Sequence, residues 1–455
     1  MTEHKKWNQK LLGILSLLLI ASLLLTACGG GASQPAPAEQ KPAEQQPATT
    51  EAAEQEVLRV WIVWGDNPAQ IQALFDKFGA ANNVKVEVTA PIDEDKILPA
   101  LTSSDPPDVL VLSGGDLVKS YAAEGMVDEL GEAIKTGGID LNDFFEAPLA
   151  QCRQGDQLLC LPWGSDLYAL FWNKDLFEAA GLDPEKPPAT MEELVEFNDK
   201  LTKVAADGSI EQIGFIPDQA WGHNDLYTAL FGGFWYNEDG TELTANSQPM
   251  IDSLNWQKQF YEKYGYDKVL EFASGFGEYS SPDNPFYAGK LAMVVEGEWQ
   301  TGPNFISLYK PELNYGVTAF PPPASNPERA GTAVAQGSVV VIPSRAKNKE
   351  MSAKLLAWMM SPEIVAEEMY ANANLPTSKK AAQDPRFQEN PMFKVFIDLM
   401  SNPNVKTLIT TPIGLELNEA LTSVEEQVLH TGADPVPLLN AVQEEFAPKL
   451  QESLK

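Results

Sequence analysis

Short apolar runs of strand character alternate with stretches of helical spacing from residue 58 onward, and that alternation limits the chain to very few architectures. Leu58-Arg59-Val60-Trp61-Ile62-Val63-Trp64 is rich in β-branched and aromatic residues and stops at Gly65-Asp66-Asn67-Pro68, a turn that can also open a helix. Residues 71–78 then have helical spacing, 84–88 alternate as a strand, 97–101 look helical, and Asp108-Val109-Leu110-Val111-Leu112 is a second buried strand. Strands and helices taking turns in this way predict an α/β fold with a mostly parallel sheet covered on both faces. In such folds ligands sit beyond the carboxyl ends of the strands. Here those ends carry Trp64, Gly65 and Asp66 after the first strand, and Ser113, Gly114, Gly115 and Asp116 after the other.

Beyond Pro162 the pattern starts again as a second α/β unit. Strands are expected at 167–172, 290–296, 314–320 and 338–342, and helices at 191–204 and 349–360; the first of these helices opens on Thr190 with Glu193 three residues on, as in a capping box. Residues 361–455 are helical in pattern with many prolines, and read as helices packed around a sheet. A length of 455 residues fits two or three domains.

Composition removes several classes of function. There are 64 acidic against 32 basic residues, a net charge of -32, so nucleic acid and anionic lipid surfaces would repel the chain. Three His and three Cys leave little material for a zinc site or an iron-sulfur cluster, and neither metal nor cofactor is expected. The segment from Gly114 to Ser120 ends Lys119-Ser120 like a phosphate loop but has Val118 where the second Gly must stand. Gly275-Phe276-Gly277-Glu278-Tyr279-Ser280 lacks the third Gly of a dinucleotide fingerprint, no Gly-x-Ser-x-Gly elbow exists, and no pair of carboxylates stands out as a glycosidase pair. No catalytic residue is assigned.

The N-terminus carries an address. Lys5, Lys6 and Lys10 precede an apolar run at 11–24, the length of a signal-peptide core and short for a membrane span. It ends Leu25-Thr26-Ala27-Cys28-Gly29, which resembles the bacterial lipobox, with Cys28 as the lipidated residue. Residues 1–27 are therefore expected to be a lipoprotein signal peptide. The Gly, Ala, Pro, Gln and Glu of 28–56 make a disordered tether, and the globular body begins at Val57. Within that body Cys152 and Cys160 flank Gly155-Asp156, a turn signal; a three-residue loop centred on Asp156 would set the two Cys opposite each other, and an oxidising compartment would join them.

Aromatic placement is the informative feature. Trp64, Trp163, Trp221, Trp235 and Trp299 fall at or beside expected strand ends or turns, near Asp66, Asp166, His223 and Glu298. A sugar ring has an apolar CH face and a rim of hydroxyls, so its site needs flat aromatics for the first and carboxylates or amides for the second. A single Trp is more often core packing; the clustering at turns raises the combination above that reading.

Around residues 157–203 the sequence becomes specific: Leu161-Pro162-Trp163-Gly164-Ser165-Asp166, then Leu170-Phe171-Trp172-Asn173-Lys174-Asp175-Leu176-Phe177, then Pro187-Pro188-Ala189-Thr190-Met191-Glu192-Glu193-Leu194. Asp105-Pro106-Pro107-Asp108-Val109 precedes it. Phe286-Tyr287-Ala288-Gly289-Lys290-Leu291-Ala292-Met293 with Gly297-Glu298-Trp299, Asn314-Tyr315-Gly316-Val317 with Phe320-Pro321, and Ser344-Arg345-Ala346-Lys347-Asn348-Lys349-Glu350 follow in order. The ordered set resembles the family 1 extracellular solute-binding proteins of ABC importers, the group that includes maltose-binding protein.

The resemblance implies a periplasmic-binding-protein type II fold: two lobes, each a mostly parallel sheet flanked by helices, joined by a hinge and closing on one solute. Lobe one would take 57–162 plus 335–360 and lobe two 163–334 plus 361–455, with hinges near 162–166, near 334–337 and near Ser361. By matching position it implies ligand contacts from Trp64, Asp66, Asp116, Trp163, Asp166, Trp221, His223 and Trp299. Leu112 stands about where maltose-binding protein has a sugar-stacking Trp, which argues against a maltodextrin ligand. The implied partners are a sugar or oligosaccharide, the permease subunits of an ABC transporter and a membrane reached through the lipid on Cys28; the protein would be an extracytoplasmic monomer, a receptor and not an enzyme. The alternatives are a receptor for glycerol phosphate or a peptide, and a secreted glycosidase.

Overall fold

Leu58, Val60 and Ile62 lie on one side of the first strand and are fully buried, whereas Arg59 and Trp61 lie on the other and stay partly exposed. A computed structural model describes residues 55–65, 67–409 and 411–454, so the signal at 1–27, Cys28 and nearly all of the 28–56 tether lie outside the described residues. That strand, β1 (Val57–Ile62), runs parallel to β2 (Lys85–Thr89) on one side and to β3 (Val109–Leu112) on the other.

Between β1 and β2 lies α1 (Pro68–Asn82). The Asn67 side chain caps it by accepting the Gln70 N–H, and Pro68 sits in its first turn, where a missing N–H costs nothing. Ile71, Leu74, Phe75 and Phe78 recur at helical spacing and are buried against the sheet, each contributing roughly 1.5–3 kcal/mol. The later strand Val339–Val341 joins the other edge of β3 in antiparallel register, and β4 (Leu161–Pro162) pairs with that strand in turn. Every residue of β3 and of Val339–Val341 is buried, which is why both read as unbroken Val/Leu runs. The Asp108 carboxylate accepts from the backbone N–H of Arg59 at 2.8 Å and of Asn348 at 3.3 Å, pinning the start of the helix Lys349–Met359 to this sheet.

Arg153–Gln154 and Gln157–Leu158 form the expected hairpin, and Cys152 is disulfide-bonded to Cys160. The ladder closes Gln154 against Gln157, so the turn is the two residues Gly155-Asp156 and not three centred on Asp156.

The second sheet is built on β5 (Tyr168–Asn173), buried along its whole length. The helix α2 (Met191–Leu201) follows it, capped by the Thr190 hydroxyl accepting the Glu193 N–H, while the Glu193 carboxylate reaches back to the N–H of Ala189. β6 (Met293–Gly297) and β7 (Tyr315–Thr318) flank β5 on either side, both antiparallel to it. The parallel arrangement expected from the sequence therefore holds for β1, β2 and β3. In the second sheet it is confined to the outer edge of β6, where Ile213 bridges Leu291 and Ala220 bridges Val295. The 119 residues between the end of β5 and the start of β6 return the chain to the same end at which β5 stops, with Met293 opposite Trp172, which sets the antiparallel sense.

Three passages of chain run side by side between the sheets. Asp166 and Gln336 exchange backbone hydrogen bonds, each at 3.1 Å, and Gly164–Ser165 pairs with Leu375–Pro376. Gly337 takes φ +123°, and a Cβ there would lie 2.5 Å from the Gly164 carbonyl oxygen, so only glycine permits this approach. The third passage lies at 375–376, beyond Ser361: the intervening helix Pro362–Asn372 still packs on the first lobe, with Glu367 bonded to Lys77 of α1. The C-terminal helices Gly414–Thr431 and Pro435–Ser453 pack together, and a short strand at Val405–Thr407, not evident in the sequence, runs parallel to Ala333–Ala335.

Candidate functional site

Three aromatic rings meet where β5 begins and β6 ends. The first residue of β5, Tyr168, stacks face to face on Trp221, with centroids 5.5 Å apart and planes 7° from parallel. Trp299, in the turn after β6, meets Trp221 edge-on at 5.2 Å and Tyr168 at 6.1 Å. Gly297 pairs with Tyr168 across the ladder, which is what brings the Trp299 turn to this end of β5. His223 stands at the rim, exposed, 6.1 Å from Trp221. Trp221 and Trp299 are both partly exposed, so the group forms a wall with accessible surface.

Behind the wall lies a residue that sequence reasoning missed. The Tyr279 hydroxyl accepts from Trp299 Nε1 at 2.8 Å, Gln300 Nε2 at 2.8 Å and Trp221 Nε1 at 3.2 Å, and donates to Glu296 Oε2 at 2.8 Å. Glu296 is buried on β6, and burial pushes its carboxyl up to about 8. At neutral pH it therefore holds a proton. Tyr279 sits in a Gly/Ser/Pro-rich segment between the helix Tyr266–Ala273 and β6, where nothing in the local pattern distinguishes one Tyr from another.

Beside the wall are acids of the inter-sheet passage. Glu298 is fully buried; one oxygen accepts the Leu167 N–H at 3.1 Å and the other, Oε1, has no hydrogen-bond partner. Burial and the neighbouring Asp166 both push Glu298 upward, and burial raises Asp166 to about 6. Burial thus disfavours the charged form of both carboxyls. Asp225, in α3 (Asn224–Leu230), is also raised by burial; it accepts the Leu226 N–H at 2.7 Å and the Gln336 side-chain amide at 3.4 Å.

On the other lobe, Trp64 stacks on Trp163 at 5.7 Å and donates from Nε1 to Ser338 Oγ at 2.7 Å. Trp163 is fully buried, with Phe75 on its edge, so it backs Trp64 and offers no face of its own. Asp66 lies outside the described residues; Asp116 opens the helix Asp116–Ala123, and its side chain is not among those described. The carboxyl end of β3 borders a cavity of about 250 Å³ lined by Leu112, Ser113, Gly114, Gln151, Gln336 and Asn418, among others. Of the sequence-derived candidates, Trp221, His223 and Trp299 come together; Asp166 lies beside the Glu298 of their turn, and Trp64 and Trp163 form a separate stack.

This arrangement can hold a flat, hydroxyl-rich molecule by stacking and hydrogen bonding.

The chain matches the family model described as bacterial extracellular solute-binding protein over residues 73–395. It is 22% identical to an uncharacterised ABC transporter extracellular-binding protein of Pyrococcus horikoshii, over 96% of this chain and 98% of that one. It is 26% identical to the sn-glycerol-3-phosphate-binding periplasmic protein UgpB of Escherichia coli strain K12, over 57% of this chain and 60% of that one. Among solved structures, CpMnBP1 with mannobiose bound superposes with a TM-score of 0.77 at 26% identity, covering 86% of this chain and all of the other.

Proposed function

The chain belongs to the bacterial extracellular solute-binding proteins, and from that premise we propose that it captures a neutral sugar or short oligosaccharide between its lobes and hands it, chemically unchanged, to the permease of an ABC importer. The observation that carries this reading is the Tyr168, Trp221 and Trp299 wall set directly beside the Asp166 and Glu298 carboxyls. The rings would take the CH face of a sugar, and the carboxyls and the Gln336 amide its hydroxyls. The mannobiose bound by CpMnBP1 agrees in class.

Two lobes, the first extended beyond 57–162 plus 335–360 by the helix Pro362–Asn372 and the second holding 163–334 and the chain after the passage at 375–376, would rotate about the three adjacent passages. Two-lobed binding proteins close around ligand by such a hinge rotation, with a few residues between the lobes absorbing the change in backbone angles. Ligand favours the closed form by its differential affinity for it, and the permease reads that form. A diacylglycerol on Cys28 would hold a monomeric receptor at the membrane through the 28–56 tether, raising its concentration near the permease. Among the described residues no helix is long and apolar enough to cross a membrane.

The name of UgpB raises glycerol phosphate as a second reading. A phosphate dianion needs Arg or Lys within reach, and the ionisable groups placed at the wall are the acids Asp166, Asp225, Glu296 and Glu298 with His223 at the rim. That favours a neutral ligand. Thermal unfolding against mannobiose, mannotriose, maltose, tagatose and sn-glycerol 3-phosphate tests the choice, since a ligand that binds only the folded state raises the midpoint. A sugar-induced rise lost in Trp299→Ala, with the sugar recovered intact, supports the receptor; a rise with glycerol phosphate alone, or hydrolysis of the sugar, overturns it.

A further inference from the structure

We propose that the cavity at the Gly232-Gly233 turn is a second ligand site, for an organic anion that carries one carboxylate on an apolar body. This goes beyond the sugar reading and does not rest on it. The cavity measures about 1330 Å³, against about 250 Å³ for the one at the end of β3, and among the described residues Thr407 alone lines both. Tyr168, Trp221 and Trp299 do not line it. α3 and the strand Ala333–Ala335, each about 10 Å long, run from the wall to the cavity. His223 and Asp225 stand at the wall end of α3 and Ala229 at the cavity end; Gln336 follows the strand beside Asp166, and Thr332 precedes it in the cavity.

The charge of its lining runs against that of the chain. Acids outnumber bases 64 to 32 in the sequence, yet Arg329, Lys379 and Lys406 line the cavity against Glu146 and Glu238. Asn404 Nδ2 donates to the Glu328 carbonyl at 2.8 Å and to the Ala330 carbonyl at 3.0 Å, which ties the loop carrying Arg329 to the strand Val405–Thr407 carrying Lys406. Two like charges are thus brought together by neutral hydrogen bonds. Neither has an ion pair or a side-chain hydrogen bond among the described residues, whereas Arg59 and Arg386 are each paired with an Asp. The half-buried Arg329 guanidinium lies against Gly232, 3.2 Å from where a Cβ would stand, and Gly232, at φ +92°, has no side chain to displace it. An Arg fixed on a cavity wall with its donors unpaired is set for a carboxylate, which it meets with two parallel bonds.

The rest of the lining defines what carries that carboxylate. Phe145 comes from lobe one, just before the short helix Glu146–Ala150, and Phe234, Ile397, Met400 and Ile409 come from lobe two. A small inorganic anion would leave these side chains against water, and a neutral sugar would leave the cations without a partner. An apolar body covers the first while its carboxylate pairs with the second. Glu146 and Glu238, both exposed, would repel a second negative charge, so the ligand is a monoanion. A volume above the ~300–1,000 Å³ of ordinary ligand sites leaves room for such a body.

The test is calorimetric titration of the full chain with 1-naphthoate, 4-phenylbutyrate and octanoate, beside acetate and the neutral 1-naphthalenemethanol. Variants are Arg329→Gln, which loses the charge, Arg329→Lys, which keeps it without the fork, and Trp299→Ala at the sugar wall, with thermal unfolding to show that each is folded. We expect at least one of the three acids to bind about tenfold or more tighter than acetate or the alcohol. Arg329→Gln should weaken it about tenfold, Arg329→Lys should recover part of that loss, and Trp299→Ala should leave it unchanged. If none of the three acids binds, or if the acid binds Arg329→Gln as it binds wild type, the site is wrong. Binding lost in Trp299→Ala would move the anion to the sugar wall and overturn the site equally. A chain that binds the acid and no sugar would keep this site while the receptor reading falls.

Discussion

The indole N–H of Trp299 ends on the hydroxyl of Tyr279 at 2.8 Å, and that hydroxyl in turn donates to the protonated Glu296 at 2.8 Å. The orientation of the exposed wall is thus set from behind by a buried polar chain. Replacing Tyr279 with Phe leaves the Trp299, Trp221 and Gln300 N–H groups without their acceptor and Glu296 without its donor; the partly exposed indoles can turn to water, so the cost of about 1–3 kcal/mol per unpaired buried group falls on Gln300 and Glu296. We expect Tyr279→Phe to bind the solute about tenfold more weakly while the change in unfolding free energy stays within a few kcal/mol. Titration calorimetry with denaturant unfolding checks both; unchanged affinity would show that the wall needs no such support.

Glu296 also sets a pH dependence. Its folded pKa, about 8, lies above the unfolded value near 4.3, so the folded state binds the proton more tightly. Its contribution to stability is full below about pH 4.3 and is lost as pH rises from there toward 8, at up to about 1.4 kcal/mol per pH unit. Asp166, raised to about 6, adds to the fall at its lower end, and Glu298 is raised in the same direction. Glu296→Gln, an amide of the same shape, should flatten the decline between pH 5 and 8 in denaturant unfolding. A decline as steep as in wild type would place its source elsewhere.

How far the sequence carried depends on range. β1, β3, β5 and β6 were legible because each is a short β-branched or aromatic run bounded by turn residues, and α1 and α2 because of their caps and periodicity. The antiparallel sense of the second sheet was not, since it is fixed by where the chain re-enters after 119 residues and no local pattern records that. Trp299, Trp221 and Asp166 could be picked out by their place in recognisable motifs. Tyr279 and Asp225 could not, because what distinguishes them is a partner 17 or 111 positions away. Trp163 was expected in the site for its motif and is buried beneath Trp64, a matter of which face of the stack meets solvent.

The disulfide closes a loop with a sequence separation of 8. In the chain-entropy account a cross-link over so short a loop stabilises by about 2–3 kcal/mol. Cys152→Ser with Cys160→Ser, or reduction of the native protein, should lower the unfolding free energy by about that amount. An unchanged unfolding free energy would mean that packing alone holds this hairpin closed.

Gly297 has ordinary extended backbone, φ -87° and ψ 168°, so its need for glycine is not conformational. It is steric: a Cβ there would come within 2.3 Å of the Trp299 ring, which folds back over the end of β6. Gly297→Ala must therefore move the indole, break its bond to Tyr279, or shift the ladder that pairs Gly297 with Tyr168. We expect a loss of about 1–3 kcal/mol in stability, the usual cost of overpacking, and a loss of solute affinity close to that of Trp299→Ala. The decisive measurement is the double-mutant cycle. In a Trp299→Ala background the clash has no partner, so adding Gly297→Ala should cost little stability and no further affinity, a strong coupling between the two positions. Additive effects would mean that the alanine disturbs the strand and not the ring, and that Trp299 is held by something other than the space glycine leaves it.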